Sequence, residues 1–153
     1  MQKDNRNRKI LCIALLTLWL CVIWGNSALP GEVSGEISGG VLDWVNDHCG
    51  THITGFAVRK LAHFTEFAVL GLLLSWLGIL CSQKGIHRVA LPLLGGMLAA
   101  CTDETIQVFV PERGPSVVDV WIDTAGALCG ILALLALCAI FGKRKLRKTP
   151  LED

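Results

Sequence analysis

Ten side chains that can carry charge, bind a ligand or move a proton gather in three short stretches of an otherwise apolar chain. They are Lys60, His63, Glu66, Asp103, Glu104, Gln107, Arg113, Ser116, Asp119 and Asp123. Where these stretches are helical, a spacing of three or four residues, as between His63 and Glu66 or between Asp119 and Asp123, puts side chains on one face. The three stretches are therefore the candidate site.

These residue types suit more than one kind of chemistry. Crowded carboxylates can divide into a proton donor and a proton acceptor, as general acid–base catalysis requires. His63 with several carboxylates would suit zinc or another divalent cation, although the sequence has no His-Glu-x-x-His motif. The same charges could instead form an ion-pair network that only holds helices together. The residues leave these alternatives open.

The elements that must position these residues are apolar segments. Of the 153 residues, 52% are hydrophobic and 18% charged, against about 25% charged in an ordinary soluble domain. Four segments of about 20 residues, enough for a bilayer core of about 30 Å, cover 10–28, 61–81, 89–110 and 120–142. Because only a helix satisfies its own backbone within such a segment in lipid, the sequence predicts an all-α integral membrane bundle of four transmembrane helices.

Lysine and arginine predict how this bundle is oriented. Residues 1–9, 82–88 and 143–153 hold eleven of the fourteen basic residues but only three of the thirteen acids. Their net charge is therefore +8, whereas the rest of the chain has a net charge of −7. The positive-inside rule then predicts an N-in/C-in topology in a bacterial cell membrane. Residues 1–9 form a basic cytosolic N-terminus, 10–142 the membrane domain and 143–153 a basic cytosolic tail. That tail suits anionic lipid headgroups rather than nucleic acid.

The first apolar segment has a second interpretation as a signal peptide, since basic residues precede it and small residues follow it. It lacks a clean Ala-x-Ala cleavage site, which favours a retained helix.

The first outer loop is predicted to hold a short amphipathic helix. The sequence VLDWVNDHC over 41–49 places its apolar side chains on one side, as in a helix that lies at the outer interface. Pro30-Gly31 and Gly39-Gly40 are turn signals in the preceding stretch.

In this topology the three polar stretches meet in the outer part of the bilayer. The second and fourth segments begin outside and the third ends there, with Asp103 about 21 Å from the start of its segment at Val89. A carboxylate at the centre of a span costs about 2.5–3.5 kcal/mol, so the acids must face each other, a cation or water.

Two contacts are expected within this group. Arg113 should bind a carboxylate through two donors. Its candidate partners are Asp103, Asp119 and Asp123. His63 and Glu66, with Lys60 one turn before them, are expected to form the functional centre, because imidazole and carboxylate can both exchange a proton or grip a cation.

The same residues resemble the motif of the VanZ-like family of small membrane proteins. The pattern is Lys60-x-x-His63-x-x-Glu66-Phe67, followed by Asp103-Glu104-x-x-Gln107-x-Phe109-x-Pro111-x-Arg113-x-x-Ser116-x-x-Asp119-x-x-x-Asp123-x-x-Gly126-x-x-x-Gly130. The resemblance covers about residues 10–140. Glu112 and Asp123 depart from it, since the family commonly has Gly and Asn at these positions.

The resemblance implies a cell-envelope function and no settled biochemical activity. The founding member is linked to resistance to teicoplanin, a lipid-bearing glycopeptide antibiotic. An outward polar pocket would then bind or protect against such a lipoglycopeptide, or bind a lipid-linked envelope component whose headgroup contacts Lys60, His63 and Arg113. An intramembrane enzyme acting on such a lipid, through His63, Glu66, Asp103 or Asp119, and a passive helix-bundle scaffold are the alternatives.

Overall fold

The computed structural model describes residues 2–49 and 54–146, and this part of the chain is helical without strands. Five helices follow one another: α1 (Gln2–Ser27), α2 (Gly31–Cys49), α3 (Gly55–Leu80), α4 (His87–Val108) and α5 (Val117–Leu146). Four of them, α1, α3, α4 and α5, are long and apolar enough to cross a membrane. The predicted all-α bundle with four membrane-spanning helices is therefore confirmed. The part of the predicted basic tail beyond residue 146 lies outside the described residues.

All four spanning helices begin earlier than their apolar segments. α1 already includes the basic residues before position 10, and α3 begins at Gly55, six residues before the apolar run. At α3 the side chain of Thr54 accepts a hydrogen bond from the backbone N–H of Ala57. Such a cap satisfies a donor that the first turn leaves free, so the helix can begin in polar sequence.

α2 is longer than the predicted amphipathic helix. It starts directly after Pro30, whose carbonyl accepts from the N–H of Ser34, and it runs through Gly39 and Gly40. The predicted turn at these two glycines is therefore wrong. Glycine inside a helix costs about 1 kcal/mol relative to alanine, which a continuous helix tolerates. The position of α2 at the outer interface stays a prediction.

α3 is the central helix and packs most extensively against α5. The contact rests on glycines: Gly71 faces the backbone of Ala127, and Gly130 faces the carbonyl of Ala68. A Cβ atom at either glycine would overlap those backbone atoms. Small residues thus let the two helix backbones approach closely, as in many membrane helix pairs.

α1 lies against α3 and α4 through a small apolar core. Cys12, Leu16 and Ile23 of α1 are buried with Phe67 and Leu70 of α3. Large apolar side chains cover much of the outer surface of the bundle, which suits contact with lipid and not with water.

Candidate functional site

All ten predicted site residues lie at one end of the bundle, which we call the carboxylate end. It is formed by the last turn of α1, the first turns of α3 and α5, the last turns of α4 and the loop between α4 and α5. Each of the four spanning helices contributes at least one polar side chain to this end, and the contacts described below connect these four helices. The structure thus brings the three polar stretches together, as the sequence predicted.

The centre of this end is a buried cluster of His63, Asp103 and Asp123, one residue from each of α3, α4 and α5. One nitrogen or oxygen atom of each residue lies within 4.8 Å of the others. Both carboxylates are fully buried, at 0% exposure. Asp103 accepts hydrogen bonds from Ser27 Oγ at 2.6 Å and from Gln107 Nε2 at 3.0 Å.

Asp123 and His63 are less well satisfied. Neither oxygen of Asp123 has a hydrogen-bond partner among the described residues, and the same is true of Nδ1 of His63. Buried polar atoms without partners are uncommon in folded proteins, because each costs about 1–3 kcal/mol. The buried cluster therefore contains three polar atoms that have no hydrogen-bond partner in the described part of the chain.

Glu66 shares a helix face with His63 but contacts a different helix. Its Oε1 accepts from Asn26 Nδ2 of α1 at 3.3 Å, and its backbone carbonyl accepts from Trp19 Nε1 at 2.9 Å. Within the described residues no hydrogen bond joins Glu66 to His63, and Glu66 Oε2 has no partner. Their role as one functional centre stays a prediction.

Glu104, Gln107 and Ser116 connect α4 to the start of α5. Oε2 of Glu104 accepts from the backbone N–H of Ser116 at 2.6 Å, and Oε1 accepts from Gln107 Nε2 at 3.4 Å. The hydroxyl of Ser116 accepts from the N–H of Val118, as a helix cap does. These contacts give Glu104 and Ser116 a structural role, because they join the last turns of α4 to the start of α5.

The predicted pairing of Arg113 with a carboxylate is wrong. Its guanidinium donates to two backbone carbonyls where α1 ends, Nη2 to Asn26 at 2.7 Å and Nε to Leu29 at 3.0 Å. Asn26 lies in the last turn of α1, where carbonyls lack intrahelical donors and favour a cation, and Leu29 follows in the turn after the helix. Burial, followed by the charge of Arg59, lowers the pKa of Arg113, although an arginine stays protonated.

Lys60, and not Arg113, forms the ion pair with Asp119. Its ammonium also lies 5.0 Å from the centre of the Phe56 ring, within the range of a cation–π contact.

The loop between α4 and α5 packs on the turn between α1 and α2. The N–H of Gly31 donates to the carbonyl of Pro111 at 3.1 Å, and a Cβ at Gly31 would overlap the carbonyl of Glu112. Glu112 has a φ of 60°, in the left-handed region that glycine adopts most easily. This conformation gives a physical reason why glycine is the residue that the family pattern has at the position of Glu112.

A cleft of about 530 Å³ opens beside the buried cluster. Its lining includes six of the ten predicted residues. The residues that line it are Phe56, Arg59, Lys60, His63, Gln107, Glu112, Arg113, Gly114, Ser116, Val118, Asp119 and Ile122. We call it the basic cleft, because three cations line it and, in the described part of the chain, Arg59 makes no hydrogen bond or ion pair.

Several polar residues of this end were not predicted, among them Asn26, Ser27 and Arg59. Asn26 and Ser27 follow the first apolar segment, but nothing in the sequence says which helices lie beside α1. The adjacent pair Arg59-Lys60 was a usable signal, since two consecutive cations precede the second apolar segment.

The chain matches the family model described as VanZ/LLP1 over residues 12–141. Comparisons with curated proteins and with solved structures return no match. The matched range contains the whole carboxylate end and most of each membrane-spanning helix. The chain therefore belongs to the VanZ-like family.

Proposed function

We propose that this multi-pass membrane protein acts in the bacterial cell envelope and that its basic cleft binds the anionic headgroup of an amphiphile. The amphiphile is a lipid-linked envelope component or a lipoglycopeptide of the teicoplanin type. The observation that carries this proposal is that the cleft combines three cations with apolar side chains in one cavity.

The cleft carries a small excess of positive charge, with Arg59, Lys60 and Arg113 against the acids Glu112 and Asp119, and this excess favours an anionic guest. Lys60 is paired with Asp119, whereas Arg113 uses two of its donors on backbone carbonyls and forms no ion pair with any residue that the structure describes. Arg59 is close enough to Arg113 to lower the pKa of Arg113. A phosphate or carboxylate between the two guanidinium groups would offset this repulsion and accept charge-assisted hydrogen bonds.

The apolar part of the cleft favours a guest with a lipid tail. Phe56 and Val118 line the cavity and are 67% and 63% exposed. Side chains of this type beside cations suit an amphiphile whose charged head binds the basic residues while its tail lies along the bundle surface.

The orientation of the bundle is the first prediction that the proposal needs. A reporter fused after Asp153 should be active only in the cytosol, and Cys49 should react with an impermeant thiol reagent added to intact cells, because basic residues stay inside. A C-terminal reporter active on the outer side would place the cleft in the cytosolic half and exclude an extracellular lipoglycopeptide.

The cleft itself is tested with the full chain in nanodiscs. We expect a polyprenyl phosphate to bind at least about tenfold more tightly than the matching polyprenol, and Arg59→Gln to remove that difference, because a hydrogen bond to a charged group contributes about 1.5–3 kcal/mol. Arg88→Gln is the matched control, since Arg88 lies at the opposite end and donates to Gln83. Equal binding of phosphate and alcohol, or equal losses in both variants, would contradict the proposal.

The lipoglycopeptide alternative is separated in cells. If the cleft protects against such a drug, a susceptible host that expresses the chain should resist teicoplanin more than vancomycin, which lacks the acyl chain. Arg59→Gln should reduce this protection while membrane abundance is unchanged. Protection against neither drug would leave the lipid-linked envelope component as the guest.

An intramembrane enzyme acting on a lipid-linked envelope substrate is the second candidate, favoured by one observation. His63 belongs both to the buried cluster and to the lining of the cleft, so a bound headgroup would lie next to groups that can exchange protons. Turnover of the bound amphiphile would establish this function. A scaffold is less well supported, because a purely structural carboxylate is expected to be hydrogen-bonded, and neither oxygen of Asp123 has a partner among the described residues.

A further inference from the structure

We propose that His63, Asp103 and Asp123 form a binding site for one divalent metal ion. Their ligand atoms come from three different helices and converge within 4.8 Å. Atoms that bind a zinc ion at about 2.0–2.2 Å lie roughly 3–4 Å from one another, so small side-chain adjustments would complete the site. The site does not depend on which headgroup the cleft binds.

The free oxygens of Asp123 are the independent observation that points to a ligand. The side chain is fully buried, and neither oxygen has a hydrogen-bond partner in the described part of the chain. Three neighbouring acids have partners, since Asp119 pairs with Lys60, Glu104 accepts from Ser116 and Glu66 accepts from Asn26 through Oε1. Besides the oxygens of Asp123, only Oε2 of Glu66 is a buried acid oxygen without a partner in the described part of this end. A cation between Asp123, Asp103 and His63 would supply the missing partner.

The neighbours of Asp103 resemble the supporting groups of a metal site. Ser27 Oγ donates to one oxygen of Asp103 and Gln107 Nε2 donates to the other. Hydrogen bonds of this kind orient a ligating carboxylate and leave further lone pairs for a metal. They come from α1 and α4, so a bound ion would link all four spanning helices.

The donor set identifies the class of ion. One imidazole nitrogen and two carboxylate oxygens suit zinc or manganese better than calcium, which prefers oxygen ligands only. Two carboxylates balance a divalent charge, and neither pairs with a lysine or arginine among the described residues. A four-coordinate ion with three protein ligands would keep one coordination position open. Because His63 also lines the basic cleft, this open position would lie next to the cleft.

The test is metal binding by the purified full chain in detergent, without any substrate. After treatment with a chelator and desalting, we expect Zn²⁺ or Mn²⁺ to bind with one ion per chain and to raise the midpoint of thermal unfolding. Asp123→Asn and His63→Gln should each weaken binding at least about tenfold. Asp119→Asn is the matched control, because its carboxylate lies at the same end but outside the cluster.

Three results would overturn the site. Wild-type chain that binds no ion at equimolar concentration would do so without any variant. Wild-type affinity in both Asp123→Asn and His63→Gln would show that the ion binds elsewhere. An increase in unfolding midpoint in Asp123→Asn without metal, together with no metal effect on the wild type, would show that the two aspartates share a proton. If Asp123→Asn does not accumulate, wild-type stoichiometry and His63→Gln decide the matter.

Discussion

Replacing Gly130 with alanine should destabilise the bundle, and replacing it with leucine should prevent its accumulation in the membrane. A Cβ at this position would overlap the carbonyl of Ala68 and approach the N–H of Leu72 at 2.9 Å. Both are backbone atoms of α3, so a rotamer change cannot relieve the overlap and the helices must separate. Overpacking of this kind costs about 1–3 kcal/mol for a small group.

The measurement is the midpoint of thermal unfolding of the purified protein in detergent. For a chain of this length a loss of about 2 kcal/mol lowers the midpoint by roughly 4–8 °C. Gly25→Ala on α1 is the matched control, because a Cβ there meets nothing within 4 Å and alanine favours the helix. If Gly130→Ala were as stable as Gly25→Ala, this glycine would not set the distance between α3 and α5.

The membrane-spanning helices could be predicted because length and hydropathy alone determine them. Each apolar segment corresponds to a helix, and the errors concern only the ends. The predicted length of α2 is too short for a related reason. Its first ten residues are mostly glycine, serine and glutamate with few apolar side chains, so no hydrophobic periodicity indicates a helix there. A helix that starts after Pro30 continues through them because its backbone hydrogen bonds need no apolar face.

The location of the polar cluster could also be predicted, whereas the contacts within it could not. Alternating helix directions place the end of α4 beside the starts of α3 and α5, and this follows from topology. Which side chain meets which depends on how far each helix is rotated about its axis. The contact between Ser27 and Asp103 spans 76 positions of the sequence, and no local spacing indicates it.

Arg113 is the residue whose partners the sequence predicts least well. Among side chains, only carboxylates suggest themselves as partners for an arginine. Every residue also carries a backbone carbonyl, however, and the carbonyls in the last turn of a helix lack an intrahelical donor. The α4–α5 loop passes the end of α1, where the carbonyls of Asn26 and Leu29 accept from Arg113. The hydrogen bond from Gly31 to Pro111 fixes the same loop from the other side.

Arg113→Ala should therefore lower the free energy of unfolding by about 2–4 kcal/mol. The change removes two charge-assisted hydrogen bonds, each contributing about 1.5–3 kcal/mol, at a half-buried site where water replaces them only in part. Arg113→Lys should recover part of this loss, because an ammonium group has no planar fork that reaches both carbonyls. Unfolding midpoints in detergent measure both effects. Arg8→Ala is the control, since the exposed Arg8–Asp4 pair contributes little.

A double-mutant cycle separates this arrangement from an ion pair with a carboxylate. If Arg113 acts through the carbonyls of Asn26 and Leu29, the effects of Arg113→Ala and Asp119→Asn should add to within about 0.5 kcal/mol. The cycle of Lys60→Met with Asp119→Asn should show coupling, because these two side chains are in direct contact. Strong coupling of Arg113 to Asp119 would place the guanidinium on that carboxylate and detach the α4–α5 loop from the end of α1. Arg113 would then no longer hold one side of the basic cleft in place.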